Sequence, residues 1–525
     1  MNTIAPASAT EDPTRDALLR RLEASEARIA QLEAELAELR ARPEQTPRAQ
    51  RRAPKLPRPP LLVLRAPSWW PRVRSASASA AAFALANAWR FCALALLLQL
   101  PVVLNVGYFS HDELQWLSFA DQPSLADVPW NAWFDFTPFQ FRPLTFNLWL
   151  LLSYAFGYHA IAMHSARVLC GTLVALLLRQ GLLAAGVAPL RAGFGALLFL
   201  LLPEVVFADS WIGTYADSLY VGFILLAALA VLRTADEAKP SRLALLGVAV
   251  ALCAGLSLLS KEAAITFPAW MLLLAGLRRN RAVAVAVLVS GTMVAIYLAL
   301  RLHTILYPPP SNEAYAWSLA NIPVRIGEHA IFPFLYERMD VWGGRWDRHF
   351  YFGIACTLAL LGALATAGAR RLALLLVGWM AALGPILILS FGATHYAYAA
   401  VAFLCAMVAF NWPAYAAGAR AVLVALLVVG CVHGLNIARQ VRNLGRVQHH
   451  LYQDLVPLAA QTPHLRLRAV REKDDALLVR SLHQIPSYRH VSMAGIDAVP
   501  FADQATAVDY LMRGDGRLIK APLQP

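Results

Sequence analysis

Along most of this chain polar residues are confined to short gaps between apolar runs, each near the roughly 20 residues that a helix needs to cross a bilayer. The runs fall at about 86–106, 161–180, 192–208, 214–232, 243–259, 263–277, 282–300, 351–368, 372–391, 399–416 and 421–437. This pattern predicts an all-α polytopic membrane domain over residues 85–437, with about eleven spans, several of them short enough to be tilted or broken. Ahead of it the pattern changes twice. Within residues 1–47, positions 15–42 carry a heptad seam, with Leu22, Ile29 and Leu36 at one core position and Leu18, Ser25, Leu32 and Leu39 at the other. Such a seam predicts a cytoplasmic helix that joins two copies in a parallel coiled-coil homodimer, the alternative being an unpaired amphipathic helix. Residues 48–84 then mix prolines with Arg51, Arg52, Lys55, Arg58 and Arg65. Proline at this density excludes a helix and the positive charge suits anionic headgroups, so a basic linker along the membrane surface is expected. Beyond the last run, residues 438–525 are mixed in polarity, as in a small extramembrane α/β region.

Composition agrees with the pattern. At 58% hydrophobic, 15% charged and a mean hydropathy of +0.50, the chain is more apolar than a soluble domain of 525 residues needs to be. A net charge of +13 is compatible with nucleic-acid binding, but the basic residues occupy the N-terminal block and alternate gaps between runs, so no nucleic-acid partner is expected. Counted from a cytoplasmic N-terminus, the inward gaps hold Arg191, then Arg233, Lys239 and Arg242, then Arg278, Arg279 and Arg281, then Arg370 and Arg371, then Arg420. The first outward gap, 107–141, holds Asp112, Glu113, Asp121, Asp127 and Asp135 and neither Lys nor Arg. This positive-inside distribution predicts a multi-pass protein of the bacterial inner membrane, and an odd span count puts residues 438–525 in the periplasm. No secretory signal peptide is expected, because the first apolar run begins only after about 80 residues. The six cysteines lie in apolar runs without C-x-x-C spacing, which predicts packing rather than a disulfide framework or a zinc site.

Carboxylates placed where a chain leaves the bilayer are costly to hide in lipid and face water or a cavity. His111-Asp112-Glu113 is such a group, and four further polar features fall on the same outward side. They are Arg142, followed by Tyr158, His159 and His164; Glu204 through Asp209, Trp211, Tyr215 and Asp217; Ser260-Lys261-Glu262; and Thr394 to Tyr398, including His395. Adjacent Lys261 and Glu262 point to different sides of a helix and do not neutralise only each other. His159 and His164 are five apart, off the spacing of a helical metal pair, and read as packing histidines; no metal-ligand set is expected. Acids take a proton from a hydroxyl, cations steady a departing phosphate, and rings such as Trp116, Trp130, Trp133, Trp211 and Tyr215 stack on sugars as well as populating bilayer interfaces.

In this order the motifs resemble the polytopic glycosyltransferases of the GT-C fold, especially the branch containing protein O-mannosyltransferases and the TMTC-type proteins. The resemblance is carried by the Asp112-Glu113 pair, Arg142-Pro143-Leu144, Gly157-Tyr158-His159 with His164, the run from Leu259 to Pro268, and Tyr396-Ala397-Tyr398, over roughly residues 85–415. It departs in having His-Asp-Glu where two aspartates are common, and His395 where an Arg often precedes Tyr-x-Tyr. The resemblance implies a polyprenyl-phosphate-linked sugar donor and an extracytoplasmic active site built around an acid of the first outer loop, Asp112 or Glu113. The expected function is therefore an inverting glycosyltransferase moving the sugar to an acceptor hydroxyl at the periplasmic face. Arg142 and Lys261 are expected to hold the donor phosphate, with His111, Glu204, Trp211, Tyr215, Asp217, Glu262, His395 and Tyr398 lining the substrate. That chemistry requires no cofactor, although it admits a divalent metal. A transporter or flippase of lipid-linked saccharide is the alternative, and would show internal repeats and midplane charges.

Overall fold

A computed structural model describes residues 85–522 apart from 86, 236–237, 278–279, 308–314, 337 and 340–346. The coiled coil expected within 1–47 and the basic linker 48–84 lie outside the described residues. Helix α1 (Ala88–Leu98) and the short α2 (Leu100–Val103) lead to α3 (His111–Ala120), which lies within the loop 107–141. There follow α4 (Pro143–Phe156), α5 (Ala160–Ala184), α6 (Pro189–Leu201), α7 (Pro203–Ser210), α8 (Tyr215–Arg233) and α9 (Pro240–Leu258). Then come α10 (Phe267–Leu273), α11 (Arg281–Leu306), α12 (Ile322–Ile331), α13 (Arg348–Ala365), α14 (Ala369–Leu383), α15 (Tyr398–Asn411) and α16 (Ala417–Gln461).

Among the described residues eight helices are long and apolar enough to cross a membrane, and counting the bent pair α6–α7 as one span makes nine. The two predicted runs outside that count, 86–106 and 263–277, hold the shorter apolar stretches Ala88–Leu98 and Glu262–Gly276. Pro101, Pro203 and Pro268 sit where these elements break or begin, since proline has no N–H for the preceding turn and its ring collides with the carbonyl four residues back. At Pro203 the result is a 60° bend. Helix α4 is apolar but only 14 residues long, too short to register as a span in the sequence.

The last span does not stop at 437. Arg439, Arg442 and Arg446 end the apolar run, yet Val441, Gly445, Gln448, Leu451 and Leu455 continue a buried stripe at helical spacing, and α16 runs on to Gln461. At 1.5 Å per residue its 45 residues reach about 68 Å, more than twice the hydrocarbon thickness, so its second half stands clear of the membrane. A Cβ on Gly107 would lie 2.0 Å from the Gly445 carbonyl oxygen, so glycine is what lets this helix run against the first loop.

The C-terminal region is α/β: β1 (Leu465–Ala469), α17 (Glu472–Leu482), β2 (Ser487–Tyr488), β3 (Val491–Ser492), β4 (Ile496–Ala498), β5 (Tyr510–Met512) and β6 (Leu518–Lys520). The main sheet has the order β4-β1-β5-β6, with β1 parallel to both neighbours, Leu465 opposite Ile496 and Leu467 opposite Tyr510, and β6 antiparallel to β5. In β1 the alternation Leu-Arg-Leu buries both leucines. Leu465, Leu467, Leu478 and Met512 share one hydrophobic core with Tyr108, Leu114, Leu117 and Trp149. The C-terminal region therefore packs at the same end of the bundle as the loop 107–141.

Candidate active site

At the head of α3 the two neighbouring acids are held very differently. Glu113 reaches back along the chain, its Oε2 accepting from the N–H groups of Phe109 (3.0 Å) and Ser110 (3.1 Å). Its Oε1 accepts from the N–H of Ile212 (2.9 Å), which ties the start of α3 to the turn before α8. Glu113 is 3% exposed, and burial raises its carboxyl from 4.5 to about 7 against the three N–H bonds that pull it down. Asp112, about 100° round the helix, has a side chain 34% exposed, with Oδ1 2.9 Å from Nε2 of His111. The His111 ring in turn lies 5.6 Å, edge to face, from that of His483 in the C-terminal region.

The cations form a second group. Lys261 is extended (φ −159°, ψ 140°) between α9 and the 3-10 turn Glu262–Thr266. Extended backbone sends successive side chains opposite ways, so Lys261 Nζ meets Asp217 Oδ1 at 2.5 Å while Glu262 Oε2 lies 2.7 Å from both Nε and Nη2 of Arg142. Adjacent Lys261 and Glu262 thus serve different partners across a break in the helix, not round an intact one. Two bonds from the start of α4, Leu144 N–H to Leu259 O (3.2 Å) and Thr145 Oγ1 to Ser260 O (2.9 Å), hold Arg142 beside this break. The loop before Arg142 is held by Arg301, which donates to the carbonyls of Phe136, Pro138 (2.6 Å) and Phe139 (2.7 Å).

A run of rings joins the two groups. Lys261 Nζ lies 4.8 Å from the centre of the Tyr396 ring, Tyr396 is 4.6 Å from His395, His395 is 4.9 Å from Trp211, and Trp211 is 5.9 Å from Phe109, three residues before Asp112. Arg142, Glu262, Lys261 and Asp217 thus form one polar group, and the rings link it through His395 and Trp211 to the segment that carries His111 and Asp112.

Tyr215, Tyr398 and Glu204 lie apart from these contacts. The Tyr215 ring is covered by the guanidinium of Arg167 (5.6 Å), which sits 3.0 Å from Asp209 Oδ1 with both side chains buried. Neither Asp209 oxygen accepts a hydrogen bond among the described residues, so the pair is held by charge. Tyr398 packs edge-on against Phe199 (5.1 Å), and Glu204 is buried in the first turn of α7 with Oε2 unpartnered among the described residues. These three are buried side chains with no hydrogen bond to the Lys261–Asp217 or Arg142–Glu262 pairs among the described residues. Trp130 and Trp133 are exposed, while Trp116 stacks on Trp149 at 4.8 Å. His164 is buried with Nε2 3.0 Å from the Gly107 carbonyl oxygen, a packing role, and His159 is exposed.

Sequence reasoning passed over Arg301, His483 and Asp121. An arginine at the outer end of an apolar run is itself a signal for the first. The other two are defined by contacts across more than 350 residues, such as Asp121 with the N–H of His490 (2.7 Å), and leave no local pattern. Among the described residues no group of three or more His, Cys, Asp or Glu is placed to hold a metal ion. A cavity of about 690 Å³ lies elsewhere: it is apolar, lined by Leu98, Leu197, Leu201, Val408, Val424 and Cys431, and includes none of these site residues.

Neither a protein-family profile nor a curated protein matches this chain. Among solved structures it is similar to the crystal structure of ArnT from Cupriavidus metallidurans bound to undecaprenyl phosphate, with 16% identity over 79% of this chain and 86% of that one and a TM-score of 0.46. It is also similar to the Archaeoglobus fulgidus oligosaccharyltransferase tethered with an acceptor peptide, with 14% identity over 79% of this chain and 61% of that one and a TM-score of 0.43.

Proposed function

We propose that this chain is an inverting glycosyltransferase of the GT-C type, moving a sugar from a polyprenyl-phosphate donor to an acceptor hydroxyl at the periplasmic face of the inner membrane. The observation that carries the reading is the separation of roles at the head of α3. Glu113 is consumed by backbone N–H groups, whereas Asp112 meets water with one oxygen beside His111 and the other uncommitted. Asp112 is therefore the base. The acceptor hydroxyl gives its proton to Asp112 as its oxygen attacks the anomeric carbon, and the bond from that carbon to the phosphate oxygen breaks on the opposite face. Phosphate leaves without protonation, so the site's remaining task is to bear its charge. Arg142, 18% exposed and with Nη1 not engaged by Glu262, makes the direct contact, and the more deeply buried Lys261 acts at longer range. Trp211 and His395 form the apolar wall between base and cations, with Asp217 and Glu262 holding the cations in place.

The test is the fate of the donor in sealed proteoliposomes containing the full chain and a polyprenyl-phosphate sugar. A transferase consumes the donor and releases polyprenyl phosphate. Movement of the donor between leaflets with its sugar still attached would replace this reading with a flippase.

A further inference from the structure

At the outer end of α5 lies a second cavity, of about 240 Å³, that none of the groups assigned above lines. Its walls come from the loop before α3, the first residue of α5, the extramembrane half of α16 and the segment just after His483. Four tyrosines face it: Tyr108, Tyr158, Tyr452 and Tyr488. Tyrosine is common at bilayer interfaces, but two of these are not lipid-facing: Tyr108 and Tyr452 are buried, with hydroxyls donated inward to the carbonyls of Gly157 (2.5 Å) and Ser481 (2.7 Å). Gln448 is 3% exposed and spends only its Oε1, on the N–H of Tyr108 (3.0 Å); its Nε2 has no partner among the described residues. Arg489 completes the mouth. It is held in the left-handed region (φ 51°), where residues other than glycine are uncommon, with its N–H on the Tyr158 hydroxyl (2.9 Å) and its guanidinium 5.5 Å over the Tyr158 ring.

We infer that this cavity is a saccharide subsite taking one uncharged sugar ring of a glycan acceptor. With the Tyr452 ring against Tyr488 (4.4 Å) and Tyr158 beneath Arg489, the tyrosines offer ring edges beside amide and guanidinium donors, which suit the C–H groups and hydroxyls of a pyranose. Arg489 is the one Lys or Arg among the lining residues, too little positive charge for a site built on phosphate. The volume lies below the roughly 300–1,000 Å³ of sites that enclose a drug-sized molecule, which fits a single ring. Tyr108 precedes Asp112 by four residues, a separation of at most about 14 Å, so a short oligosaccharide anchored here presents its next hydroxyl to the base. The word acceptor rests on the transferase reading; saccharide binding does not.

The experiment is saturation-transfer difference NMR on the full chain in nanodiscs, with di- to tetrasaccharides of hexoses and N-acetylhexosamines as probes. At least one probe is expected to give contact signals with the wild type. Val456→Trp, which fills the floor, and the exposed pair Gln453→Ala with Arg489→Ala are each expected to weaken binding about tenfold. Silence from every probe with the wild type overturns the inference, as does full binding in both cavity variants, or displacement of the sugars by phosphatidylglycerol. Saccharide binding without donor consumption would sink the transferase and leave the subsite standing; donor consumption without saccharide binding would do the reverse.

Discussion

Glu113 has a carboxyl at about 7 in the folded chain and near 4.5 when exposed, chiefly because it is buried. Between those values the folded state binds more protons than the unfolded one, so this contribution to stability is fully present below about 4.5 and is lost as pH rises through about 7. The wild type is therefore expected to lose on the order of 3 kcal/mol between these limits. Glu113→Gln should lack this component, which thermal unfolding across pH in detergent measures; identical pH profiles would contradict the assignment. A second residue-scale prediction concerns Lys261. Lys261→Met strands a buried Asp217 and is expected to cost about 3–5 kcal/mol, whereas adding Asp217→Leu should recover most of the stability and none of the donor consumption. Charge placement alone located Asp112, Arg142 and Lys261 on one side. It left the choice between the two acids open, because what sets their surroundings apart is a bond from Glu113 to Ile212, far along the chain. Glu204, Tyr215 and Tyr398 were selected on polarity, and nothing local in the sequence separates polar groups buried in the bundle from those at its rim.

The elements follow the apolar periodicity closely where it is unbroken and lose it at the prolines. Runs near 20 residues long became spans, but the same hydropathy covers the bend at Pro203 and the break at Lys261, where the backbone turns out of the helix to present its charges. The extension of α16 was hidden for the opposite reason, since arginines end an apolar run without ending a helix. Arg301 near the C-terminal end of α11 fixes the loop 136–139 through carbonyls that have no sequence signature. Arg301→Met keeps much of the side-chain length and removes those bonds. It is expected to expose the segment 122–141 to limited proteolysis and to weaken donor binding about tenfold, the loss of one or two hydrogen bonds to a charged group; unchanged cleavage would show that the loop is held by other means.

On the scale of the molecule, the membrane bundle and the C-terminal region share a core, and the sequence hinted at the small α/β region without indicating where it docks. The hydroxyls of Ser118 and Ser487 lie 3.3 Å apart. Ser118→Cys combined with Ser487→Cys is expected to form an intramolecular disulfide in intact cells without added oxidant, because the proposed topology places both positions in the periplasm, where such bonds persist. Recovery of both thiols reduced, read by mass spectrometry of trypsin fragments, would move this face to the cytosol. The account as a whole stands on one half-buried carboxylate acting on a lipid-linked donor. The most direct measurement is the rate of sugar transfer from a polyprenyl-phosphate donor by purified wild type and Asp112→Asn at equal folded fraction. The account predicts a fall of about 10²–10⁴-fold for the variant, and an undiminished rate in Asp112→Asn would contradict it.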